Sequence, residues 1–127
     1  MPSSSTQILG TVPVIATEDI QKSISYYVDV LGFSFDFKYG EPAVYAGVKS
    51  GSAGIYFTYD PPLVKIIKEQ KVNPEIFIWI TDAIHLFKKH VEKGAEIFEP
   101  LSDRSWGVRE YVITEINGYH LKFAQLL

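Results

Sequence analysis

The chain has 127 residues, of which 46% are hydrophobic, 14% aromatic and 21% charged, which supplies a packed core and argues against a disordered chain. The absence of cysteine excludes a disulfide framework, thiolate catalysis and a thiolate-bound metal. Twelve basic and fifteen acidic residues give a formal net charge of -3, and no basic cluster favours a nucleic acid as a partner.

The first residues, Met1 to Gln7, are polar and lack the basic and apolar regions of a secretion signal. The longest apolar runs are far shorter than the roughly 20 residues that a membrane span needs. We therefore expect a cytoplasmic protein of one domain over residues 1–127, with no membrane partner.

The first half of the chain has a strand pattern, a helix pattern and three further strand patterns. Apolar β-branched residues predict a strand over 12–18, and Asp19 suits the N-cap of the helix that follows. Gly32 suits the left-handed position just past that helix. Aromatic residues at alternate positions from 33 to 39 predict a half-buried strand. Two more strands are predicted over 42–49 and 54–59.

The second half repeats this order 62 to 63 residues later. A strand is predicted over 75–80, with Asp82 as the next N-cap and Gly94 past the second helix. Three strands are then predicted over 96–101, 108–114 and 119–126. A three-residue turn at 116–118, which contains Asn117-Gly118, would pair Val112 with Lys122. Such a repeat indicates two units of the same fold.

The predicted architecture is α+β. It has two tandem βαβββ units, over 8–60 and 74–127, with a linker helix within 61–73. A single four-stranded unit has no second layer for one of its faces, so we expect the units to form a curved mixed sheet with helices on its convex side.

Several motifs resemble one superfamily over about residues 8–126. Tyr26-Tyr27 and Leu31-Gly32-Phe33 are similar to its "FY…LGF" pattern, and the segment Trp106 to Tyr111 with Asn117-Gly118 is similar to its "WG-RE-F…GN" ending. The chain resembles the vicinal oxygen chelate superfamily, which includes glyoxalase I, extradiol dioxygenases and bleomycin resistance proteins. It is most similar to the bleomycin resistance-like, metal-free subgroup. Glu115-Ile116 departs from the pattern, which has Asp-Pro there.

The resemblance implies four positions at which enzymes of the superfamily hold a divalent metal. These positions carry Val12, Tyr56, Glu75 and Lys122. Hard divalent cations need carboxylate or imidazole ligands, and only the glutamate offers one. We therefore predict no metal and no cofactor. His85 and His90 are five residues apart, about 140° around a helix, and we expect them to lie in solvent rather than to form a metal site.

Strand alternation sorts side chains into a helix-facing set and a cavity-facing set. Ile55, Ile76 and Leu121 fall in the helix-facing set, and Arg109 on that register is expected to pair structurally. The cavity-facing set combines aromatic area with sparse charges, which suits a pocket for a flat organic molecule. The predicted ligand-binding residues are Tyr56, Glu75, Phe77, Trp79, Trp106, Glu110, His120 and Lys122.

The resemblance and this surface imply a metal-free protein that binds and sequesters a small organic molecule, such as an aromatic or cationic antibiotic. The alternative is an enzyme of the lyase, isomerase or dioxygenase type acting on a small carbonyl compound. In that enzyme Glu75 would act as base and Lys122 would stabilise an enolate. A third reading is an interaction module whose aromatic surface is a dimer interface. The resemblance also implies a homodimer, since small members commonly complete their cavities across a two-fold axis.

Overall fold

The computed structural model describes residues 5–127, so the first four residues of the predicted polar tail lie outside the described residues. The first unit contains β1 (Val14–Thr17), α1 (Ile20–Asp29), β2 (Ser34–Tyr39), β3 (Tyr45–Ser50) and β4 (Ala53–Tyr59). After α2 (Pro61–Gln70), the second unit contains β5 (Glu75–Trp79), α3 (Ala83–Glu92), β6 (Glu96–Asp103), β7 (Val108–Thr114) and β8 (His120–Leu126). Within residues 5–127, no helix is both long and apolar enough to cross a membrane.

Within the part of the chain that the structure describes, eight strands form two four-stranded mixed sheets. The strand order is β1-β4-β3-β2 in the first sheet and β5-β8-β7-β6 in the second. The β1–β4 and β5–β8 pairs are parallel and the others antiparallel, so each unit has the same topology. The predicted α+β class and tandem units are confirmed, and the sheet is divided between the two units. Val112 pairs with Lys122, as the predicted turn requires.

The helix ends follow from the repeated sequence signals. The carboxylates of Asp19 and Asp82 each accept a hydrogen bond from the backbone N–H three residues later, at 3.0 and 3.2 Å. Each bond satisfies a donor that the first turn of a helix leaves free. Gly32 and Gly94 both have φ +88°, a left-handed conformation that glycine adopts without a steric penalty from a side chain.

A register shift interrupts the second strand of each unit at the same place in the repeat. In β2 it lies between Phe35 and Phe37, and in β6 between Ile97 and Glu99. Phe35 pairs with the buried Val48 on the helix side, whereas Phe37 pairs with Gly47 on the opposite face. The predicted simple alternation from 33 to 39 is therefore wrong, because a bulge reverses the face of every residue after it.

The helix-covered faces of both sheets share one core. It contains Ile15, Ile24, Phe57, Tyr111, Leu121 and Phe123, among other buried side chains. Hydrogen bonds also link the units: the Tyr27 hydroxyl donates to Glu115 Oε2 at 3.0 Å, and the Ala16 N–H donates to the Tyr119 hydroxyl at 2.9 Å. The units are thus joined through their helix sides, and the other face of each sheet is left open.

Candidate functional site

Each sheet has one face that no helix covers, and we call these the first and second open faces. The second open face carries side chains from β5, β7 and β8. Phe77 and Trp79 of β5 are 46% and 61% exposed, whereas their neighbours Ile76 and Ile78 pack against the core. The cavity-facing and helix-facing sets therefore separate as strand alternation predicts.

A charged network crosses the second open face. Lys122 Nζ lies 3.4 Å from Glu75 Oε1 and 3.7 Å from Glu110 Oε2. Arg104 Nε donates to Glu110 Oε2 at 3.2 Å, and its Nη2 contacts Glu99 Oε2 at 3.4 Å. The Glu110 side chain is only 4% exposed, so its two cationic partners offset the cost of burying its charge. Three carboxylates face two cations, which leaves this network one negative charge in excess.

Aromatic rings border this network. The rings of Phe77 and Trp79 meet edge to face with centroids 4.8 Å apart. The His120 imidazole lies against the Phe98 ring at 4.2 Å. Trp106 is 68% exposed in the β6–β7 turn, with the Arg104 guanidinium 5.9 Å from its ring. The second open face therefore offers apolar area beside fixed charges, which is the composition of many small-molecule sites.

The first open face is aromatic as well. The Tyr56 ring lies 5.0 Å from that of Phe37 and 6.0 Å from that of Tyr45. The rings lie over Gly47, since a Cβ at that position would approach Phe37 Cε1 to 2.5 Å. Glycine here lets the rings lie directly on the backbone of β3.

These features can be compared with known proteins. The family model of the Glyoxalase/Bleomycin resistance protein/Dioxygenase superfamily matches residues 8–123. The chain belongs to this superfamily. No curated protein matches it.

Solved structures of the superfamily fold are similar over nearly the whole chain. TioX from Micromonospora sp. ML1 has a TM-score of 0.76 at 21% identity, with 91% of this chain and 97% of that chain covered. The bleomycin-binding protein of Streptomyces verticillus, solved with copper(II)-bleomycin, has a TM-score of 0.74 at 23% identity, with 93% and 96% covered. The bleomycin resistance determinant of transposon Tn5 has a TM-score of 0.77 at 15% identity, with 92% and 97% covered.

The four positions that hold a metal in enzymes of the superfamily do not suit one in this chain. Val12 has no donor atom, and Tyr56 packs against other rings. Lys122 places an ammonium beside Glu75, the only carboxylate among the four. Within residues 5–127, no three His, Cys, Asp or Glu side chains are arranged to hold a metal ion. A lysine ammonium repels a divalent cation and cannot coordinate it, so the site does not fit the metal.

The structure brings together most of the predicted ligand-binding residues, and their role stays a prediction. Glu75, Phe77, Trp79, Glu110, His120 and Lys122 lie on the second open face, with Trp106 at its border and Tyr56 on the first. The sequence did not predict Arg104 and Glu99, which belong to the charged network, or Phe37, which packs against Tyr56. Because the two units repeat, a known bulge in β2 would have predicted the one in β6. Neither bulge is visible in the alternation of side chains along the sequence.

His90 does not lie in solvent as predicted. It is 1% exposed, and its ring bridges the two units. Its Nε2 lies 2.9 Å from the Leu31 carbonyl oxygen, and its Nδ1 lies 2.9 Å from the Tyr111 hydroxyl. A carbonyl only accepts, so Nε2 carries the proton and Nδ1 accepts from the tyrosine. Burial lowers the pKa of His90, which favours this neutral form, although the bond to Leu31 acts in the opposite direction.

Arg109 pairs with Asp103 as expected of a structural residue. Its Nε and Nη2 donate to the two carboxylate oxygens at 2.7 and 3.0 Å. This bidentate contact lowers the pKa of Asp103 and raises that of Arg109. Both groups are solvent-exposed, so the pair fixes the β6–β7 turn locally and does not contribute to the open faces.

Proposed function

We propose that the protein binds and sequesters a flat organic molecule that carries a positive charge, without a metal and without covalent catalysis. The observation that carries this proposal is the second open face, where exposed Trp79 and Phe77 lie beside a network with one negative charge in excess. Aromatic rings bind planar ligands and cations, and the excess carboxylate complements a cation. The structural similarity to a bleomycin-binding protein supports a small organic molecule as the ligand.

The charged network also determines what the lysine does. Lys122 contacts two carboxylates at once, so its ammonium is held at the centre of the face, near the position where superfamily enzymes keep a metal ligand. Glu75 has Lys122 as its ion-pair partner and its side chain is 48% exposed, so one of its oxygens is available to a ligand. We propose that Glu75 accepts a hydrogen bond from the cation of the bound molecule.

The second candidate function is a lyase or isomerase that acts on a small carbonyl compound. The contact between Glu75 and Lys122, at 3.4 Å, favours it because a base and a cation lie side by side. A carboxylate could remove a proton next to a carbonyl while the ammonium stabilises the enolate. A base role requires the face to be covered from water, and in the single chain Glu75 is half exposed.

A direct test uses a planar cation and its uncharged counterpart. We expect 9-aminoacridine to bind the full chain in a calorimetric titration and to raise its melting temperature, since a ligand selective for the folded state stabilises it. Acridine, which is neutral at pH 7, should bind more weakly, and tetramethylammonium should not bind measurably. Equal affinity for the charged and uncharged rings would contradict the role of the carboxylates.

Variants test whether the ligand binds on the second open face. Trp79→Ala should weaken 9-aminoacridine binding about three- to thirtyfold, because stacking and cation–π contacts are lost. Glu75→Gln should reduce the preference for the charged ring. The matched control is Ile84→Ala, which removes an exposed apolar side chain of α3. Unchanged binding by Trp79→Ala would refute the proposed site. Release of a new product from a small keto compound, lost in Glu75→Gln, would favour the enzyme instead.

We also propose that the protein is a cytoplasmic homodimer in which the open faces are completed by the partner. The exposed apolar side chains of the open faces support it, because Val14, Phe77 and Trp79 are 49%, 46% and 61% exposed and a second copy would cover them. A second copy would also exclude water from the ligand.

A further inference from the structure

A polar cavity of about 470 Å³ lies where α1, the end of α2 and the β7–β8 turn meet. Side chains of both units and of α2 line it, among them Tyr26, Lys68, Lys71, Glu96, Thr114 and Glu115. Its volume is within the range of about 300–1,000 Å³ that is typical of small-molecule sites. None of these residues belongs to the charged network or to the aromatic clusters of the open faces.

The Tyr26 hydroxyl is the distinctive group of this cavity. Within residues 5–127 it is the one buried side-chain polar atom without a hydrogen-bond partner. Buried hydroxyls in native proteins nearly always have a partner, so an exception calls for a specific explanation. Its neighbour Tyr27 has a partner, because the Tyr27 hydroxyl donates to Glu115. The Tyr26 hydroxyl therefore has no partner within the described chain, and a molecule in the cavity that bonded to it would have to displace the side chains that cover it.

Some polar groups around Tyr26 already have partners within the protein, and others have no ion-pair partner. Glu115 is saturated, since its two oxygens accept from the N–H groups of Asn117 and Tyr119, from the Asn117 amide and from Tyr27. Lys68 contacts Glu18 at 3.2 Å. By contrast, Lys71 and Glu96 take part in none of the ion pairs among the described residues, and both are exposed at the rim.

The charges are distributed unevenly within the cavity. Burial, and then the negative charges of Glu115 and Glu96, raise the pKa of Tyr26, so the hydroxyl stays protonated and lies in a negative potential. That potential disfavours an anion next to the phenol and favours an ammonium, whose hydrogen the phenolic oxygen can accept. Lys68 of α2 and Lys71, the residue just after this helix, add positive charge to the lining.

We propose that this cavity is a second binding site, for a small molecule of the amino-acid class that carries both an ammonium and a carboxylate. The ammonium donates to the Tyr26 hydroxyl oxygen and to Glu96, and the carboxylate accepts from Lys71. The ligand would contact the first unit through α1 and the second through β6 and the β7–β8 turn. It would thus bind at the junction of the two units, on residues other than those of the charged network.

The test is a titration of the ¹⁵N-labelled full chain, followed by amide chemical shifts. The probes are β-alanine and γ-aminobutyrate, which have both charges, and propionate and propylamine, which have one each. We expect at least one of the doubly charged probes to shift the amide signals of Gly94, Gly118 and Lys71 saturably and to bind at least tenfold more tightly than either singly charged probe. No saturable shift, or equal affinity for a singly charged probe, would overturn the proposal.

Two variants assign the contacts. Tyr26→Phe and Lys71→Gln should each weaken binding of the doubly charged probe about threefold to tenfold, the effect of one lost polar contact. Tyr26→Phe should fold, because it removes a buried group without a partner. The control is Lys65→Gln, on the exposed side of the same helix, which should leave binding unchanged. Equal affinity of wild type and Tyr26→Phe for the doubly charged probe would refute the site. Binding of 9-aminoacridine to Tyr26→Phe tests the open faces separately.

Discussion

At the scale of single residues, two buried titratable groups hold the units together. His90 bridges Leu31 and Tyr111 as a neutral imidazole. Glu115 accepts four hydrogen bonds in the β7–β8 turn, and burial nevertheless raises its pKa. Burial in the folded chain favours the uncharged form of both groups. The two pKa shifts affect the stability of the fold in opposite pH ranges.

The pH range in which each group stabilises the folded chain follows from the direction of its pKa shift. The pKa of His90 is lowered from 6.5, so its contribution to stability is present above pH 6.5 and is lost as the pH falls towards its folded pKa. The pKa of Glu115 is raised from 4.5, so its contribution is present below pH 4.5 and is lost as the pH rises through its folded pKa. A variant is needed to separate them in the wild-type profile.

We therefore predict the effect of His90→Gln, which keeps an N–H donor for Leu31 and cannot become charged. It should lower the free energy of unfolding by about 1–3 kcal/mol above pH 7, because Tyr111 loses its partner. The gap to the wild type should narrow below pH 6.5, by at most about 1.4 kcal/mol per pH unit. Urea unfolding from pH 8 to 5 measures this gap. His85→Gln, on the exposed side of α3, serves as control, and a gap for His90→Gln that does not change with pH would contradict the account.

At the scale of helices and strands, the helix ends could be predicted from the sequence, whereas the β-bulges in the strand pairing could not. Asp19, Gly32 and their repeats at 82 and 94 define helix ends through bonds and backbone angles within a few residues, so the sequence contains the whole cause. A bulge depends on how a strand pairs with its neighbour, and the alternating aromatics of β2 look regular in sequence. This is why Phe37 and Glu99 were absent from the predicted site.

Gly47 gives a prediction for the first open face. In Gly47→Ala the new Cβ would lie 2.5 Å from Phe37 Cε1 and 2.8 Å from Tyr56 Cδ1, so both rings must move. We expect a loss of about 1–3 kcal/mol in the free energy of unfolding, the usual cost of overpacking. The matched control is Gly54→Ala on the same face, where the nearest atom would be 3.4 Å away. Chemical denaturation measures both, and equal stabilities would show that the aromatic cluster can rearrange freely.

At the scale of the whole molecule, the units share a core on their helix sides and leave two sheet faces open. Outside the bulged strands β2 and β6, sequence patterns separated helix-facing from open-face residues, because strand alternation is a local property. They did not predict the burial of His90, because its ring lies between Leu31 of the other unit and Tyr111 and Phe123 of its own sheet. They also could not show how the units are arranged, which depends on contacts between residues far apart in the sequence.

The proposed homodimer makes a further prediction at this scale. Sedimentation equilibrium should give twice the 14.4 kDa of one chain. Trp79→Asp, which places a charge on the second open face, should shift the protein towards the monomer, whereas Ile84→Asp on α3 should not. A monomeric wild type at micromolar concentration would refute the dimer and leave the faces open to solvent.

On the second open face a lysine ammonium lies at a position where superfamily enzymes have a metal ligand, and we propose that this face accepts an organic ligand instead. Elemental analysis of the purified full chain, prepared without a chelator and again after incubation with zinc, nickel and manganese, tests this most directly. We expect no stoichiometric divalent metal in either preparation. One bound ion per chain that is lost in Glu75→Gln would contradict it.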